Sequence, residues 1–195
     1  MRKLLLILAV AFTAINLNAQ DKGYEKSIEI YGGPGLNNLT KYQLGISMIN
    51  GYRFNDFLYL GAGTGFRYQE SRYMYSYGPG TSYDHDSREP RYIVPLYARV
   101  KANLTKTSVS PFFIADIGGN IDVGLVKYKT IKGFFFEPQF GIDMDLADPI
   151  SMYFTIGANI AKAQYMVFDF YDTNSIQDEY KGIASSLVFH VGIKF

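Results

Sequence analysis

One feature narrows the folds open to this chain more than any other. Eight stretches alternate, residue by residue, between an uncharged face and a charged one. The last stretch puts Phe195, Ile193, Val191, Phe189, Leu187, Ser185 and Ile183 on one face, with Lys194, Gly192, His190, Val188, Ser186 and Ala184 opposite. Another sets Phe134, Phe136, Pro138, Phe140, Ile142, Met144 and Leu146 against Phe135, Glu137, Gln139, Gly141, Asp143 and Asp145. The uncharged faces of three more are Ile28/Ile30/Gly32, Leu44/Ile46/Met48/Asn50/Tyr52 and Leu58/Leu60/Ala62/Thr64/Phe66/Tyr68. The remaining three are Tyr92/Val94/Leu96/Ala98/Val100, Phe113/Ala115/Ile117/Gly119/Ile121/Val123 and Met152/Phe154/Ile156/Ala158/Ile160. A period of two over such lengths is a β-strand between two different environments. Across the eight segments this face has 44 positions, none of them Asp, Glu, Lys or Arg. The alternate face carries six cations, Arg53, Arg67, Arg91, Arg99, Lys101 and Lys194, and six anions, Glu29, Asp116, Asp122, Glu137, Asp143 and Asp145.

Composition agrees with an all-β chain. Fifteen Phe, 17 Tyr and 19 Gly in 195 residues do not suit a helical bundle. The length allows one domain. The absence of cysteine excludes disulfides and thiolate chemistry. Lys and Arg number 19 against 18 Asp and Glu, so no broad basic surface for nucleic acid is expected. At the start, Arg2 and Lys3 precede nine apolar residues, Leu4 to Phe12, and a more polar stretch ending at Ala19. That is the layout of a secretory signal peptide, residues 1–19. Nine apolar residues are about half of the ~20 that a spanning helix needs. Loss of Arg2 and Lys3 would leave 17 positive and 18 negative charges, a mature chain 20–195 near −1.

Alternation alone does not say which face points inward. A soluble barrel buries the apolar face, whereas an outer-membrane barrel shows it to lipid and lines its lumen with the polar one. Three observations favour the second. The links near Asn55-Asp56, Asn103 to Ser110 and Ala147 to Pro149 are short or moderate, while Ser71 to Pro90 and Ala161 to Gly182 read as loops of about twenty residues. The charged face is also the glycine face, with Gly45, Gly51, Gly61, Gly63, Gly65, Gly118, Gly141, Gly157 and Gly192, which suits a narrow tapered interior. Phe195 closes a clean alternating strand, and a terminal aromatic there resembles the signal that outer-membrane assembly machinery reads. The expected fold is an eight-stranded antiparallel up-and-down transmembrane β-barrel. Pro95 and Pro138 fall inside strands, where a bulge at each is expected.

Two short motifs point the same way. Tyr92-Ile93-Val94-Pro95-Leu96-Tyr97-Ala98-Arg99-Val100 resembles an "I-P-L-x-x-K" strand, and Pro111-Phe112-Phe113 followed by Gly118-Gly119 resembles a "P-Y-x-x-x-G-x-G" strand. Both are features of the porin-family outer-membrane barrels, in shape like the OmpA-like transmembrane domain. The resemblance covers the mature chain and departs from the family at Ala115-Asp116-Ile117, where small residues are common. It implies a bacterial outer-membrane monomer contacting lipid and lipopolysaccharide and inserted by the barrel-assembly machinery.

Catalytic and metal sites find little material. The two histidines are His85, in the expected long loop, and His190, on the last strand. Ser82 or Ser87 with His85 and Asp84 is the local stock for a triad, without a strained glycine elbow. Asp84-His85-Asp86 has metal-ligating types, but adjacent residues converge poorly on one ion. The bland reading, a solvated tip, is preferred, and His190 is read as a hydrogen-bonding group near the inner end of the lumen. Tyr73, Tyr75, Tyr77 and Tyr83 suit either adhesion or an aromatic rim. Tyr52, Phe54 and Phe195 are expected in one aromatic girdle, Tyr68 and Tyr92 in the other. No catalytic residue, cofactor or metal is assigned, and the residues name no loop ligand. The leading expectation is a non-enzymatic barrel with a plugged polar lumen and a structural, adhesive or small-solute role. The alternatives are a secreted soluble barrel holding an apolar ligand and a membrane-embedded lipid-modifying enzyme. Within the lumen, Arg99 or Lys101 is expected to pair with Asp116, and Asp122 with a charge further round.

Overall fold

The computed structural model describes residues 23–37, 39–76, 82–123, 133–147, 150–168 and 177–195, with the side chains of 71–89, 147 and 163–181 excepted. The expected leader lies outside these residues. Eight strands follow one another: β1 (Tyr24–Pro34), β2 (Tyr42–Arg53), β3 (Leu58–Ser76), β4 (Ser82–Asn103), β5 (Val109–Asp122), β6 (Gly133–Ala147), β7 (Ile150–Phe168) and β8 (Gln177–Lys194). Each pairs antiparallel with the next, and β8 pairs with β1, so the sheet closes into an up-and-down barrel.

Closure sets the width of the interior. Stepping across the ladders from Glu25 passes Gly51, Gly61, Arg99, Asp116 and Glu137, crosses a gap in the β6–β7 pairing to Asn159 at the register kept on either side of it, and returns through Ser186 to β1 at Gly35. The return is ten residues further along (35 − 25), so the strands are strongly staggered. Eight strands inclined in this way, about 35–45° to the axis, leave an interior just wide enough for side chains. Inward glycines make room for rings: a Cβ on Gly63 would collide with the Tyr97 ring, and one on Gly45 with Tyr31.

The two faces of the wall are opposite in chemistry. Ile30, Leu44, Leu60, Phe66, Phe113, Phe140, Phe154, Ile156 and Ile193 are exposed on the outside. Glu29, Arg67, Arg99, Lys101, Asp116, Glu137 and Asp143 are buried on the inside. A soluble barrel has the reverse arrangement, and an apolar surface encircling a barrel has no stable place in water. The chain is a membrane-spanning β-barrel.

Two expectations need correction. The stretches read as long loops, 71–90 and 161–182, are largely strand: β3 and β4 stay paired as far as Ser76 and Ser82, and β7 and β8 as far as Phe168 and Gln177. The alternation stops near the end of the apolar belt because beyond lipid the outer side chain need not be apolar. Backbone pairing carries on without it. The other correction concerns the prolines. Register shifts occur at Tyr73/Tyr75 and Asp145/Ala147, not at Pro95 or Pro138. Each proline instead sits at a gap across which the register is the same on either side. On β4 the pairing with β3 resumes at Leu96↔Thr64 and Ile93↔Arg67, and on β6 the pairing with β7 resumes at Phe136↔Ile160 and Gln139↔Gly157. A missing N–H removes a bond without adding a residue, so the register survives.

The short links are built from local side-chain bonds. Asn55 Oδ1 accepts from the amides of Phe57 (2.9 Å) and Leu58 (2.8 Å), which folds the β2–β3 turn. Between β4 and β5, Ser110 Oγ donates to the Thr105 carbonyl at 2.7 Å.

Candidate functional site

The lumen is where chemistry-bearing side chains meet. At mid-height, Arg99 of β4 lies in register with Asp116 of β5, and Asp116 with Glu137 of β6. Arg99 donates through Nε and Nη2 to the two Asp116 carboxylate oxygens at 2.8 and 2.7 Å. It also reaches across the barrel, Nη1 and Nη2 each donating at 2.9 Å to an oxygen of Glu29 on β1. One guanidinium thus holds two carboxylates with four charge-assisted bonds. Tyr153 Oη on β7 donates to Glu29 at 2.9 Å, and Tyr97 Oη approaches it at 3.5 Å.

Glu137 anchors the other half of the cluster. Arg67 Nη2 lies 3.6 Å from it, and Asn159 Nδ2 donates to it at 2.5 Å. Gln139 Nε2 donates to both Asp116 and Glu137 at 3.0 Å, while its oxygen accepts from Thr155 Oγ1 at 2.7 Å. His190 of β8 lies between the halves, its Nε2 2.9 Å from Glu137 and its Nδ1 3.3 Å from Glu29, within ion-pair range of both but with neither ring nitrogen in a well-aligned hydrogen bond. Its ring stacks on Tyr31 with centroids 4.9 Å apart. Expected near the inner end of the lumen, His190 instead sits in the middle of the outward apolar run of β8, between Ile183 and Phe195.

A second, smaller cluster lies toward the short turns. Lys101 and Lys194 both donate to Asp143 Oδ2 at 2.7 Å. Lys101 therefore bonds Asp143 on β6 and leaves Asp116 to Arg99, which resolves the alternative left open by the sequence. Its ammonium also lies 4.1 Å from the centre of the Phe112 ring. Below it, Arg53 binds Glu25 through Nε and Nη2 at 3.0 and 2.6 Å. Asp145 is exposed at this rim and accepts from Ser151 at 3.0 Å. At the opposite end Arg91 is buried next to Ile93, and Asp122 is half-buried in register with Ile93. Phe195 is exposed on the outer surface, its backbone exchanging hydrogen bonds with Lys26.

A cavity of about 180 Å³ opens among the short turns, lined by Arg53, Asp56, Lys106, Asp143, Asp145 and Lys194 among others. Its cations are already engaged: Arg53 by Glu25, Lys194 by Asp143, and Lys106 by Asp56 at 2.5 Å. Asp56 lies in the turn outside the spanning segments, and the hydrogen bond and charge of Lys106 hold its carboxyl below the usual range.

Selecting residues by charge missed much of this site. Tyr31, Tyr97, Tyr153, Gln139, Thr155 and Asn159 carry no charge, and the alternating pattern of the first strand starts at Ile28, beyond Glu25. Parity with Glu29 was the available signal for Glu25. The serine, histidine and aspartate candidates between Ser82 and Ser87 fall in β4, where side chains are outside those described.

No protein-family model and no curated protein sequence matches the chain. Among solved structures it is similar to the crystal structure of the outer membrane protein OprG from Pseudomonas aeruginosa, with TM-score 0.54, 9% identity, and coverage of 89% of this chain and 96% of that one. A major outer membrane protein from Thermus thermophilus gives TM-score 0.46 at 14% identity over 89% of this chain and 100% of that one. The translocator domain of autotransporter NalP from Neisseria meningitidis gives 0.28 at 10% identity, over 100% and 95%. The likeness to OprG is one of fold. Of the porin-type resemblance of the strands carrying Pro95 and Pro111, the comparisons support the membrane β-barrel and not the particular family.

Proposed function

We propose that this protein is a non-enzymatic integral barrel of the bacterial outer membrane whose lumen is closed by an ion-paired plug. The observation that carries the reading is Arg99 joined to Glu29 on one side of the lumen and Asp116 on the other, with all three buried. Charges so confined are stable only when paired and hydrogen-bonded, and pairing across the lumen fills the space that a solute would use. A soluble barrel for an apolar ligand needs an apolar interior, and this interior is charged. The short links face the periplasm in this reading, which puts the extended β3–β4 and β7–β8 hairpins outside the cell. The barrel is then a membrane anchor presenting two hairpins, monomeric, in contact with lipid and lipopolysaccharide, and inserted by the barrel-assembly machinery.

Carbonate washing of membranes and single-channel recording test the reading together. The protein should stay with the membrane until detergent is added. Refolded into planar bilayers it should give at most small flickering events, and Arg99→Ala should enlarge them. Release by carbonate, or a steady wide pore in the unmodified protein, would overturn the proposal.

A further inference from the structure

The central cluster has an odd number of charges. Glu29, Asp116 and Glu137 supply three carboxylates, while Arg67 and Arg99 supply two guanidiniums, and all five groups are buried. The arithmetic leaves −1 when His190 is neutral and zero when it is an imidazolium. His190 is placed for that task, in ion-pair range of both Glu29 and Glu137.

Among the described contacts of this cluster, no side chain besides Arg67, Arg99 and His190 supplies a positive charge. β1 presents Glu29 and Tyr31 to His190, and β6 presents Glu137. Next to these lie Arg67 from β3, Tyr97 and Arg99 from β4, Asp116 from β5 and Tyr153 from β7. β2 contributes Gln43, Ser47 and Ile49 to the buried interior, none of them titratable. On β8 itself Lys194 is bound to Asp143. An unbalanced charge in so enclosed a space is costly, and imidazole is the side chain that ordinarily gains and loses its proton near neutral pH.

We propose that the plug is a one-proton gate: protonated His190 ties Glu29 of β1 to Glu137 of β6 and keeps the lumen closed, and loss of its proton loosens the plug. The proposal rests on the closed-lumen reading above and adds its regulation. The proton leaves to bulk solvent and returns from it, with no other reactant.

Planar-bilayer recording on the refolded protein from about pH 5 to about pH 10 spans imidazole titration in proteins. The expected result is a closed barrel at the acidic end and an open probability that climbs along one stretch of pH. The climb should not exceed about tenfold per pH unit, the limit for one proton. His190→Gln should be as open at acidic pH as the unmodified protein is at alkaline pH, without pH dependence. His190→Lys, which keeps a positive charge, should stay closed through the stretch in which the unmodified protein opens. Should either variant fail to fold, the imidazole of the unmodified protein, isotope-labelled and followed by NMR in micelles, must titrate over the same stretch as the conductance. A flat, closed record at every pH would overturn the gate and leave the plug standing. A steady wide pore at every pH would overturn the plug itself. Retention of the pH response by His190→Gln, or an imidazole titration that does not coincide with opening, would also overturn the gate.

Discussion

Gln139 and Phe140 are neighbours on β6 and belong to different worlds. Phe140 is 42% exposed on the outer wall, touching the Phe113 ring at 5.1 Å between centroids. Gln139 is 3% exposed and bonds Asp116, Glu137 and Thr155. The outer wall faces a liquid of apolar chains, which asks only that a side chain be apolar. The lumen faces other side chains of the same molecule, which ask for one donor or acceptor at one place. Class is enough outside, whereas inside identity and partner both matter.

The largest test of that contrast is Arg99→Ala. It removes the cation shared by Glu29 and Asp116 and leaves both carboxylates buried. Breaking a buried pair in this way costs about 3–5 kcal/mol, to be read from urea unfolding in lipid vesicles. Adding Glu29→Gln and Asp116→Asn to Arg99→Ala should return a large part of the loss. If the triple variant is no more stable than the single one, the loss came from packing and not from stranded charge.

Next in size is the pair on β6. Phe140→Arg puts a charge on the lipid side and should cost about 2–4 kcal/mol at depth, while Phe140→Leu stays within about 1.5 kcal/mol as a change of apolar shape. Gln139→Glu is nearly isosteric, yet it exchanges two donated bonds for a fourth carboxylate. Hydrogen bonds to charged groups are worth about 1.5–3 kcal/mol each, so this small change should cost more than Phe140→Leu. Equal stability of the Gln139→Glu and Phe140→Leu variants would show that the lumen, too, reads only class.

The same contrast explains what the sequence made legible. Strand existence and the closed barrel followed from period two, since lipid imposes that pattern on each strand separately. Partners depend on register between strands and on the ten-residue stagger, which no single strand encodes. Hence Arg99 and not Lys101 takes Asp116, while Lys101 bonds Asp143. Neutral groups such as Tyr153 and Gln139 were invisible to a search for charge. The strand extensions to Ser76 and Phe168 were missed for the complementary reason, because outside lipid the pattern is no longer imposed.

A smaller effect is expected at Pro138, which has no cross-strand partner on β7 between the Phe136 and Gln139 pairs. Its carbonyl is directed at Gly157 of β7, so its nitrogen lies on the same edge. Pro138→Val supplies a donor there, a net gain of about 0.5–1.5 kcal/mol, offset by about 0.4–1 kcal/mol from a freer unfolded chain. Stability should therefore hardly move. Hydrogen exchange is the sharper measure: the amide at position 138 should be as protected as its neighbours on β6. Rapid exchange there would mean that the gap has a cause other than the missing donor.

The smallest expected effect lies outside both worlds, in the turns. Lys106 Nζ and an Asp56 oxygen are 2.5 Å apart, with both side chains mostly in water. The bond and charge of Lys106 lower the Asp56 pKa in the folded state. A lowered carboxyl contributes stability above its unfolded pKa and loses it as pH falls through the folded one. Exposed pairs of this kind are screened by solvent and salt and contribute little. Lys106→Ala should accordingly raise the Asp56 titration midpoint toward the ordinary aspartate range, seen in the carboxyl chemical shift. The urea midpoint at neutral pH should not change measurably. A clear fall in that midpoint would mean that the turn pair helps hold the barrel shut from below, and that the lumen's demand for exact partners reaches past the membrane into the links.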